Sequence, residues 1–267
     1  MVAGTNRDAI GAIARLLVDA RSALFITGSG LSTDSDLPVY RGLPGLEART
    51  REDGKQLEQT LSTAMLARAP MTTWRLLLDM DARVRGVRPN VGHRVLARFE
   101  QQLPRCTIVT TNVDRLHQRA GSRNVIEMHG ALYDLLCTRC ELAVRHERFD
   151  RLAMPPTCGT CGDVLRPDMP LFGEAVPADP FTRLQSELDE GFNVVLVIGV
   201  REMPPYVARP LLVAKSEGIP TVELAARTSE LSDVVDLRIA ASPADVLGAI
   251  AATYDRLRTR AKSDTSQ

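Results

Sequence analysis

The fold is decided by Ala23-Leu-Phe-Ile-Thr-Gly-Ser-Gly30, in which a short apolar run ends abruptly at two glycines. A run of this length, bounded by turn residues, is typical of a strand that is buried on both faces of a parallel sheet. The preceding residues 7–20 place Ile10, Ile13 and Leu17 at helical spacing. The start of the chain therefore predicts an amphipathic helix, a buried strand and a glycine turn.

Three further apolar runs have the same character as this strand. They occupy residues 107–111, 194–199 and 220–224, and each is rich in Val, Ile or Leu. Strands that are separated by helical segments form parallel sheets with right-handed crossovers. We therefore predict an α/β fold, with a Rossmann-like parallel sheet and helices on both faces. The tail, residues 258–267, is polar, and we predict that it is disordered.

Two stretches interrupt the alternation of strands and helices. Residues 43–90 have helical periodicity, and residues 131–168 hold four cysteines with little periodicity of either kind. We interpret both as insertions that together form a small zinc-ribbon and helical domain. The Rossmann-like domain then consists of residues 1–42, 91–130 and 169–257.

The four cysteines form two Cys-x2-Cys pairs, Cys137 with Cys140 and Cys158 with Cys161, separated by 17 residues. This spacing is typical of two knuckles that close one tetrahedral zinc site, and it favours zinc over a redox dithiol. Four thiolates leave no open coordination position, so the zinc is expected to be structural. Cys106 lies in an apolar run, where we expect a buried strand thiol.

Charge and hydropathy exclude several classes of protein. Lys plus Arg equals Asp plus Glu, 33 each, so no global positive field favours nucleic acid or an acidic membrane. No apolar run reaches the length of a transmembrane helix, and Asp8 precedes the first hydrophobic stretch. We expect a cytoplasmic protein without nucleic-acid or membrane partners.

The glycine turn by itself has two explanations. Gly28-Ser-Gly30 follows a strand, so its backbone amides are placed where a pyrophosphate binds at a helix N-terminus. The third glycine of the dinucleotide fingerprint is missing, however, and a plain tight turn explains the segment equally well. Other motifs have to decide between the two.

Several further motifs follow the glycine turn in a fixed order. They are Thr27-Gly-Ser-Gly-Leu-Ser-Thr-Asp-Ser-Asp-Leu-Pro-Val-Tyr-Arg-Gly42, Thr110-Thr-Asn-Val-Asp-Arg-Leu-His-Gln-Arg-Ala-Gly121, Glu127-Met-His-Gly130, the cysteine pairs and Arg166-Pro-Asp-Met-Pro-Leu-Phe-Gly-Glu174. In this order they resemble the signatures of the sirtuins, the NAD-dependent protein deacylases. The resemblance extends over roughly residues 8 to 255, and several motifs in register are more specific than any one of them.

The resemblance implies a fold and a reaction. Sirtuins have a Rossmann-type NAD domain and a small zinc domain, and NAD meets an acyl-lysine peptide in the cleft between them. In the family reaction the acyl-amide oxygen displaces nicotinamide from NAD, and a neutral histidine then deprotonates a ribose hydroxyl. The products are nicotinamide, O-acyl-ADP-ribose and free lysine. The expected cofactors are therefore NAD, as co-substrate, and one structural zinc ion.

The resemblance also implies roles for individual residues. His129 matches the general base, and a histidine suits that role because its unperturbed pKa of about 6.5 leaves it mostly neutral near pH 7. Asn112 and Asp114 match the residues that shape the nicotinamide pocket, with Asp114 accepting from the carboxamide. The expected NAD contacts are Gly28, Ser29, Gly30, Ser32, Pro38, Tyr40, Arg41, Thr111, Asn112, Val113, Asp114, Gly199, Val200 and Glu223. The remaining histidines, His93, His117 and His146, are expected to be structural or solvated.

The chain departs from the family pattern on the adenosine side of the predicted site. Val200 and Arg201 stand where the family has small hydroxyl residues, and Glu223-Leu224 falls about where an asparagine reaches the adenine ribose. Thr111 stands where glutamine is usual. Each lost polar contact is expected to weaken NAD binding by about 1 kcal/mol, although Glu223 offers an acceptor for a ribose hydroxyl.

Two features bear on the acylated substrate. Backbone beside Phe172-Gly-Glu174 is expected to pair with the peptide as an added strand. At the spacing where desuccinylating sirtuins carry tyrosine and arginine, this chain has Leu77 and Met80. An apolar wall offers no cation to a carboxylate, so acetyl or longer neutral acyl groups are expected.

Two other functions remain open on the same scaffold. The first is an ADP-ribosyltransferase or NAD hydrolase, in which a protein side chain or water takes the activated ribose. The second is a module that binds NAD or ADP-ribose without turnover, which the altered residues 199–224 favour. A module that only binds does not need His129, Asn112 and Asp114, so deacylation is the preferred interpretation.

Overall fold

The computed structural model describes residues 2–35, 51–140, 142–175, 177–201 and 203–264. Its strands are β1 (Ser22–Thr27), β2 (Arg105–Thr110), β3 (Val125–Glu127), β4 (Ala131–Cys137), β5 (Ala143–Arg145), β6 (Leu165–Asp168), β7 (Val194–Ile198), β8 (Thr221–Leu224) and β9 (Leu237–Ile239). Its α-helices are α1 (Val2–Asp19), α2 (Ser29–Ser32), α3 (Arg51–Thr60), α4 (Thr63–Arg68), α5 (Pro70–Val84), α6 (Val91–Gln102), α7 (Leu116–Arg119), α8 (Ala178–Asp189), α9 (Pro205–Ser216) and α10 (Pro243–Asp264).

Six strands form one parallel sheet in the order β3-β2-β1-β7-β8-β9, which confirms the predicted Rossmann-like core. The strand order changes direction at β1, because β2 and β3 lie on one side of it and β7, β8 and β9 on the other. In open α/β sheets ligands bind at such a switch point, outside the carboxyl ends of the strands. The loops that follow β1 and β7 therefore border the expected binding crevice.

The sheet is covered on both faces, as its apolar strands predict. Ala23 and Phe25 of β1 belong to one core cluster with residues of α1, α6 and α10, whereas Leu24 and Ile26 belong to another with residues of α8 and α9. All four side chains are fully buried. This alternation fixes the register of β1, because a shift by one residue would exchange the two faces.

A second, antiparallel sheet has the order β5-β4-β6. It shares a hydrophobic cluster with α3, α4 and α5, in which the Trp74 ring packs edge-on against Phe149 at 5.2 Å between centroids. The Trp74 indole N–H donates to the carbonyl of Leu165 in β6 at 2.9 Å. The two predicted insertions therefore pack together. The domain boundaries that we placed from the sequence remain a prediction.

The carboxyl-terminal segment differs from the sequence prediction. Helix α10 continues to Asp264, so residues 258–264 are helical where we expected disorder. Arg258 explains part of this continuation, because its guanidinium lies 5.6 Å from the centre of the Tyr254 ring and donates to the Tyr254 hydroxyl at 3.1 Å. The polar composition of the tail predicted disorder because it does not take into account contacts between residues one helical turn apart, such as Arg258 and Tyr254. None of the helices in the described ranges has both the length and the apolar character that a membrane span needs.

Candidate active site

The glycine turn after β1 is in direct contact with the loop after β7. The amide of Gly28 donates to the carbonyl of Ile198 at 3.1 Å, and that of Gly30 donates to the carbonyl of Gly199 at 2.8 Å. A Cβ on Gly30 would lie 2.7 Å from the Gly199 oxygen, and Gly199 itself has a φ of +63°. Glycine is thus required at Gly30 for close backbone approach. These two amides already have backbone acceptors, so a phosphate would have to use other donors of the loop.

A buried hydrogen-bonded chain of three polar side chains lies at the carboxyl ends of β1 and β2. Asn112 donates through Nδ2 to the carbonyl of Gly28 at 3.1 Å and to Ser32 Oγ at 3.0 Å. Ser32 in turn donates to Asp114 Oδ2 at 2.7 Å, and the backbone amide of Leu116 donates to Asp114 Oδ1 at 2.9 Å. Ser32, Asn112 and Asp114 are 1%, 3% and 1% exposed. Because each group is held by a partner, the geometry is set before any ligand binds.

Asp114 and the two buried histidines near it have shifted pKa values. Burial raises the pKa of Asp114, although the hydrogen bonds from Leu116 and Ser32 oppose the shift. Burial lowers the pKa of His117 to about 4, and burial together with the charges of His117 and Arg94 lowers that of His93 to about 2. The two imidazole rings lie 5.0 Å apart between centroids, and His117 Nε2 bonds Thr27 Oγ1 at 2.9 Å. Both histidines are therefore neutral parts of the core, as expected.

His129 lies in a tight turn directly after β3. The amide of Met128 donates to the carbonyl of Thr110, and that of Gly130 to the carbonyl of Glu127, at 2.9 and 3.1 Å. Gly130 has a φ of +64°, and a Cβ there would collide with the carbonyl oxygen of Asp168, so a glycine is needed for the turn. The β2–β3 register pairs Thr110 with Glu127. Asn112 and His129, each two residues beyond that pair, therefore emerge at the same edge of the sheet.

The ring of His129 contacts a residue that the sequence did not single out. His129 Nε2 is hydrogen-bonded to the hydroxyl of Tyr206, in the first turn of α9, and the two rings meet edge to face at 5.8 Å between centroids. Phe181 of α8 packs edge to face on Tyr206 at 5.3 Å. One feature of the sequence pointed to Tyr206. It follows Pro204-Pro205, shortly after Val200 and Arg201, which depart from the family pattern.

Two of the residues that depart from the family pattern, Val200 after β7 and Glu223 within β8, have buried side chains. Val200 is only 3% exposed and belongs to an apolar cluster. Glu223 is 1% exposed, and its carboxylate accepts from Ser229, Ser232 and Arg238 at 2.5 to 2.8 Å. These three bonds hold the loop between β8 and β9. The residue that follows β8 at the carboxyl edge is Ala225, whose methyl group has no polar contact to offer.

The remaining predicted NAD contacts have mixed surroundings. Thr111 lies directly after β2, with its amide donating to the carbonyl of Thr27 at 3.1 Å and its side chain partly exposed. Val113 is fully buried in the cluster shared with the small sheet, so its side chain does not face the crevice. Ser29 begins α2 directly after Gly28 and is partly exposed. Pro38, Tyr40 and Arg41 lie outside the described residues.

The four predicted zinc ligands come together at one point. The Sγ atoms of Cys137, Cys140, Cys158 and Cys161 all lie within 4.8 Å of one another, and the shortest separations are 3.4 to 3.6 Å. A tetrahedral site with Zn–S bonds of about 2.3 Å requires sulfur separations of about 3.8 Å, so the four thiols fit zinc. Backbone amides of Arg139, Cys140 and Thr160 donate to the first sulfur of each pair at 3.4 Å.

The residues on which two predictions about the acylated substrate depended have surroundings that we did not expect. Leu77 and Met80 have no exposed surface, because both belong to the core around Trp74. They do not form the wall on which the predicted acyl preference depended, so neutral acyl groups stay a prediction without support from these residues. The amide of Phe172 donates to the carbonyl of Leu61 at 2.9 Å, which forms a parallel bridge between Ser62 and Phe172. Any pairing with a peptide must use other backbone groups near Phe172.

Known proteins resemble this chain over most of its length. A model of the Sir2 family matches residues 28–202. NAD-dependent protein deacylase 2 of Pseudomonas aeruginosa is 37% identical over 91% of this chain and 96% of its own length. NAD-dependent protein deacylase 2 of Pyrobaculum aerophilum is 32% identical over 93% and 97%.

Solved structures show the same fold. A Sir2 homologue in complex with NAD superposes with a TM-score of 0.82 at 28% identity, over 92% of this chain and 94% of that one. A mutant Sir2 homologue in complex with ADP-ribose gives a TM-score of 0.83 at 28% identity, over 93% and 97%.

Proposed function

Because this chain belongs to the Sir2 family, we propose that it is an NAD-dependent protein lysine deacylase that yields nicotinamide, O-acyl-ADP-ribose and free lysine. The observation that carries the proposal is the pre-formed chain Asn112–Ser32–Asp114, at the same sheet edge as His129. A module that only binds a nucleotide has no need for a histidine base at this edge. The substrate is an acylated lysine in a protein or peptide.

The chain's own residues divide the work of this reaction. Bound NAD supplies the ribose that receives the acyl group and the nicotinamide that leaves. Asn112 and Asp114, oriented through Ser32, bind and orient the nicotinamide end, where the buried Asp114 carboxyl accepts from an amide. His129 is the base of the reaction, and one of its ring nitrogens becomes protonated when a ribose hydroxyl loses its proton. Gly28, Gly30 and Gly199 let the loops after β1 and β7 lie in backbone contact, and the phosphates bind to other donors of this turn, among them Ser29.

Zinc has a structural part in this proposal. Cys137, Cys140, Cys158 and Cys161 would hold it with four thiolates, which leave no position for a substrate. Binding of the metal ties the end of β4 to the loop before β6 and so stabilises the small sheet. Removing the metal with a chelator is expected to unfold this sheet, which a loss of thermal stability would report.

The test follows nicotinamide and peptide mass together in zinc-loaded protein incubated with NAD and acetyl-, succinyl- and long-chain acyl-lysine peptides. Nicotinamide and deacylated peptide are expected to rise in equal amounts. Nicotinamide release that does not depend on peptide would instead indicate an NAD hydrolase or an ADP-ribosyltransferase. If neither nicotinamide nor deacylated peptide forms, while calorimetry still detects NAD binding, the protein is a binding module.

Three statements remain predictions beside this proposal. They are a cytoplasmic location, the absence of nucleic-acid and membrane partners, and the division into a Rossmann-like domain and a small domain at the boundaries given above. The equal numbers of acidic and basic residues support the second. The shared core of the helical insertion and the zinc-binding sheet supports the third.

A further inference from the structure

We propose that Tyr206 relays the ribose proton to His129, which makes it a second catalytic residue of this site. The inference rests on the proposed deacylase function. Its starting point is the hydrogen bond between the Tyr206 hydroxyl and Nε2 of His129, the ring nitrogen that lies toward α9. Nothing in the sequence pattern of the motifs assigns a role to Tyr206.

The position of Tyr206 is fixed by its neighbours. Pro204 and Pro205 begin α9 and restrict the backbone of its first turn. The Phe181 ring packs edge to face on the Tyr206 ring at 5.3 Å, and Tyr206 meets the His129 ring at 5.8 Å in the same manner. Such aromatic contacts favour one ring orientation. The hydroxyl is therefore held at Nε2 by packing as well as by its hydrogen bond.

Tyr206 lies at the edge of the sheet where the substrate is proposed to bind. Helix α9 follows β7, whose carboxyl end borders the crevice at β1, and His129 follows β3 at the same edge of the sheet. Both rings are partly exposed, so a ligand in the crevice can reach the pair. With Nε2 engaged by Tyr206, a ribose hydroxyl approaching from the crevice meets the tyrosine oxygen.

The proton transfer balances without any further reagent. Tyr206 gives its hydroxyl proton to Nε2 of neutral His129, and the ribose hydroxyl gives its proton to the tyrosine oxygen. Tyr206 is neutral before and after the transfer, His129 becomes an imidazolium, and the ribose oxygen is left to bond to the acyl carbon. A hydroxyl group can pass a proton from a donor to a base that the donor does not contact directly, because it accepts one proton while it donates another.

The test compares Tyr206→Phe, which removes only the hydroxyl, with the unsubstituted zinc-loaded protein. Nicotinamide leaves before the ribose proton is taken. Tyr206→Phe is therefore expected to lower deacylation about tenfold or more, while exchange of labelled nicotinamide into NAD with acetyl-peptide stays within about twofold. Tyr254→Phe is the matched control, because its hydroxyl bonds Arg258 in α10 and both rates should be unchanged.

A second arm does not depend on turnover. Nitrogen-15 NMR of the protein without NAD should show Nε2 of His129 as a hydrogen-bond acceptor, and this signal should move in Tyr206→Phe but not in Tyr254→Phe. A double variant with His129→Ala should be no slower than His129→Ala alone, because the two residues act in one step.

Several results would overturn the relay. Unchanged or faster deacylation in Tyr206→Phe would mean that the substrate displaces the tyrosine. An equal fall of deacylation and nicotinamide exchange would mean that Tyr206 only supports the fold, and an unmoved Nε2 signal would mean that the contact does not exist in solution. If the unsubstituted protein neither exchanges nicotinamide nor deacylates, the proposed function fails and the relay fails with it.

Discussion

The two halves of the crevice use their polar side chains in opposite ways. On the side proposed to bind nicotinamide, Ser32, Asn112 and Asp114 bond one another in a chain that ends at the sheet edge shared with His129. On the side predicted to bind adenosine, Glu223 directs its carboxylate into the loop that follows β8, and Val200 is buried among apolar residues. Chemistry needs fixed geometry at the reacting end, whereas the distant end contributes mainly affinity. The difference predicts normal chemistry combined with weak NAD binding.

The largest effect is expected at the reacting end. His129→Ala should lower deacylation by about 10²- to 10⁴-fold, the usual contribution of a general base, while NAD binding by calorimetry stays within about twofold. His146→Ala serves as the control for general effects of losing an imidazole, because His146 directly follows β5 of the small sheet and has no contact with His129 or Asn112 among the described hydrogen bonds. Substantial deacylation by His129→Ala would show that the chemistry of the reaction does not depend on the end of the crevice that holds His129.

Acid should destabilise the nicotinamide side through its buried histidines. Their pKa values in the folded chain, about 4 for His117 and about 2 for His93, lie below the ordinary value of 6.5, so the unfolded chain binds protons more readily. The free energy of unfolding should therefore fall as pH drops below about 6.5, by about 2 kcal/mol per histidine on reaching pH 5.

Urea unfolding at pH 7 and pH 5 measures this loss. His117→Gln keeps a polar partner for Thr27 and has no imidazole to protonate, so its loss between the two pH values should be smaller by about 2 kcal/mol. An equal loss in both proteins would remove His117 as a source of acid sensitivity.

Glu223→Gln separates the two roles that this residue has been given. If its carboxylate holds the β8–β9 loop, the substitution should lower the free energy of unfolding by about 1 to 3 kcal/mol and leave the KM for NAD unchanged. If the carboxylate binds the adenine ribose, the KM should rise without a loss of stability. Urea unfolding and steady-state kinetics on the same preparation decide between the two.

The smallest expected effect is a gain on the adenosine side. Val200→Thr keeps the shape of the side chain and adds one hydroxyl close to Gly28, where a Cβ would lie 3.2 Å from a Val200 methyl group. One new hydrogen bond to NAD, worth about 1 kcal/mol, would lower the KM for NAD about fivefold at unchanged kcat. A KM that does not move in a stably folded variant would mean that the side chain at position 200 stays in its apolar cluster and does not contact NAD.

The sequence predicted those parts of the molecule that depend on local pattern. The buried strands at 107–111, 194–199 and 220–224 correspond to β2, β7 and β8 within two residues at each end, because apolar runs bounded by turns specify such strands. β3, β5 and β9 were missed, since three residues carry too little periodicity, and no strand was predicted at β4 or β6, which lie in the cysteine-containing stretch. The cysteine spacing predicted a four-thiol cluster because tetrahedral coordination fixes both the number and the spacing of the ligands.

Side-chain direction was the part that sequence could not provide. Glu223, Val113, Leu77 and Met80 were assigned to a ligand by position along the chain, yet all four point into packed or hydrogen-bonded surroundings. Tyr206 was overlooked because its contact with His129 joins residues 77 positions apart. Such contacts depend on how the loops after β3 and β7 meet, which no local pattern records.

Strand β4 connects the proposed base mechanically to the metal. It starts one residue after Gly130 and ends at Cys137, so about 23 Å of extended backbone separate the His129 turn from the first thiol. Its partner β6 ends at Asp168, whose carbonyl abuts Gly130. The β4–β6 pairing is regular from Leu135 to Cys137 and shifts register between Ala131 and Leu135, so bound zinc would stabilise the cysteine end of the pair most directly. We therefore expect an ion that contacts no substrate to influence the position of His129 through these two strands.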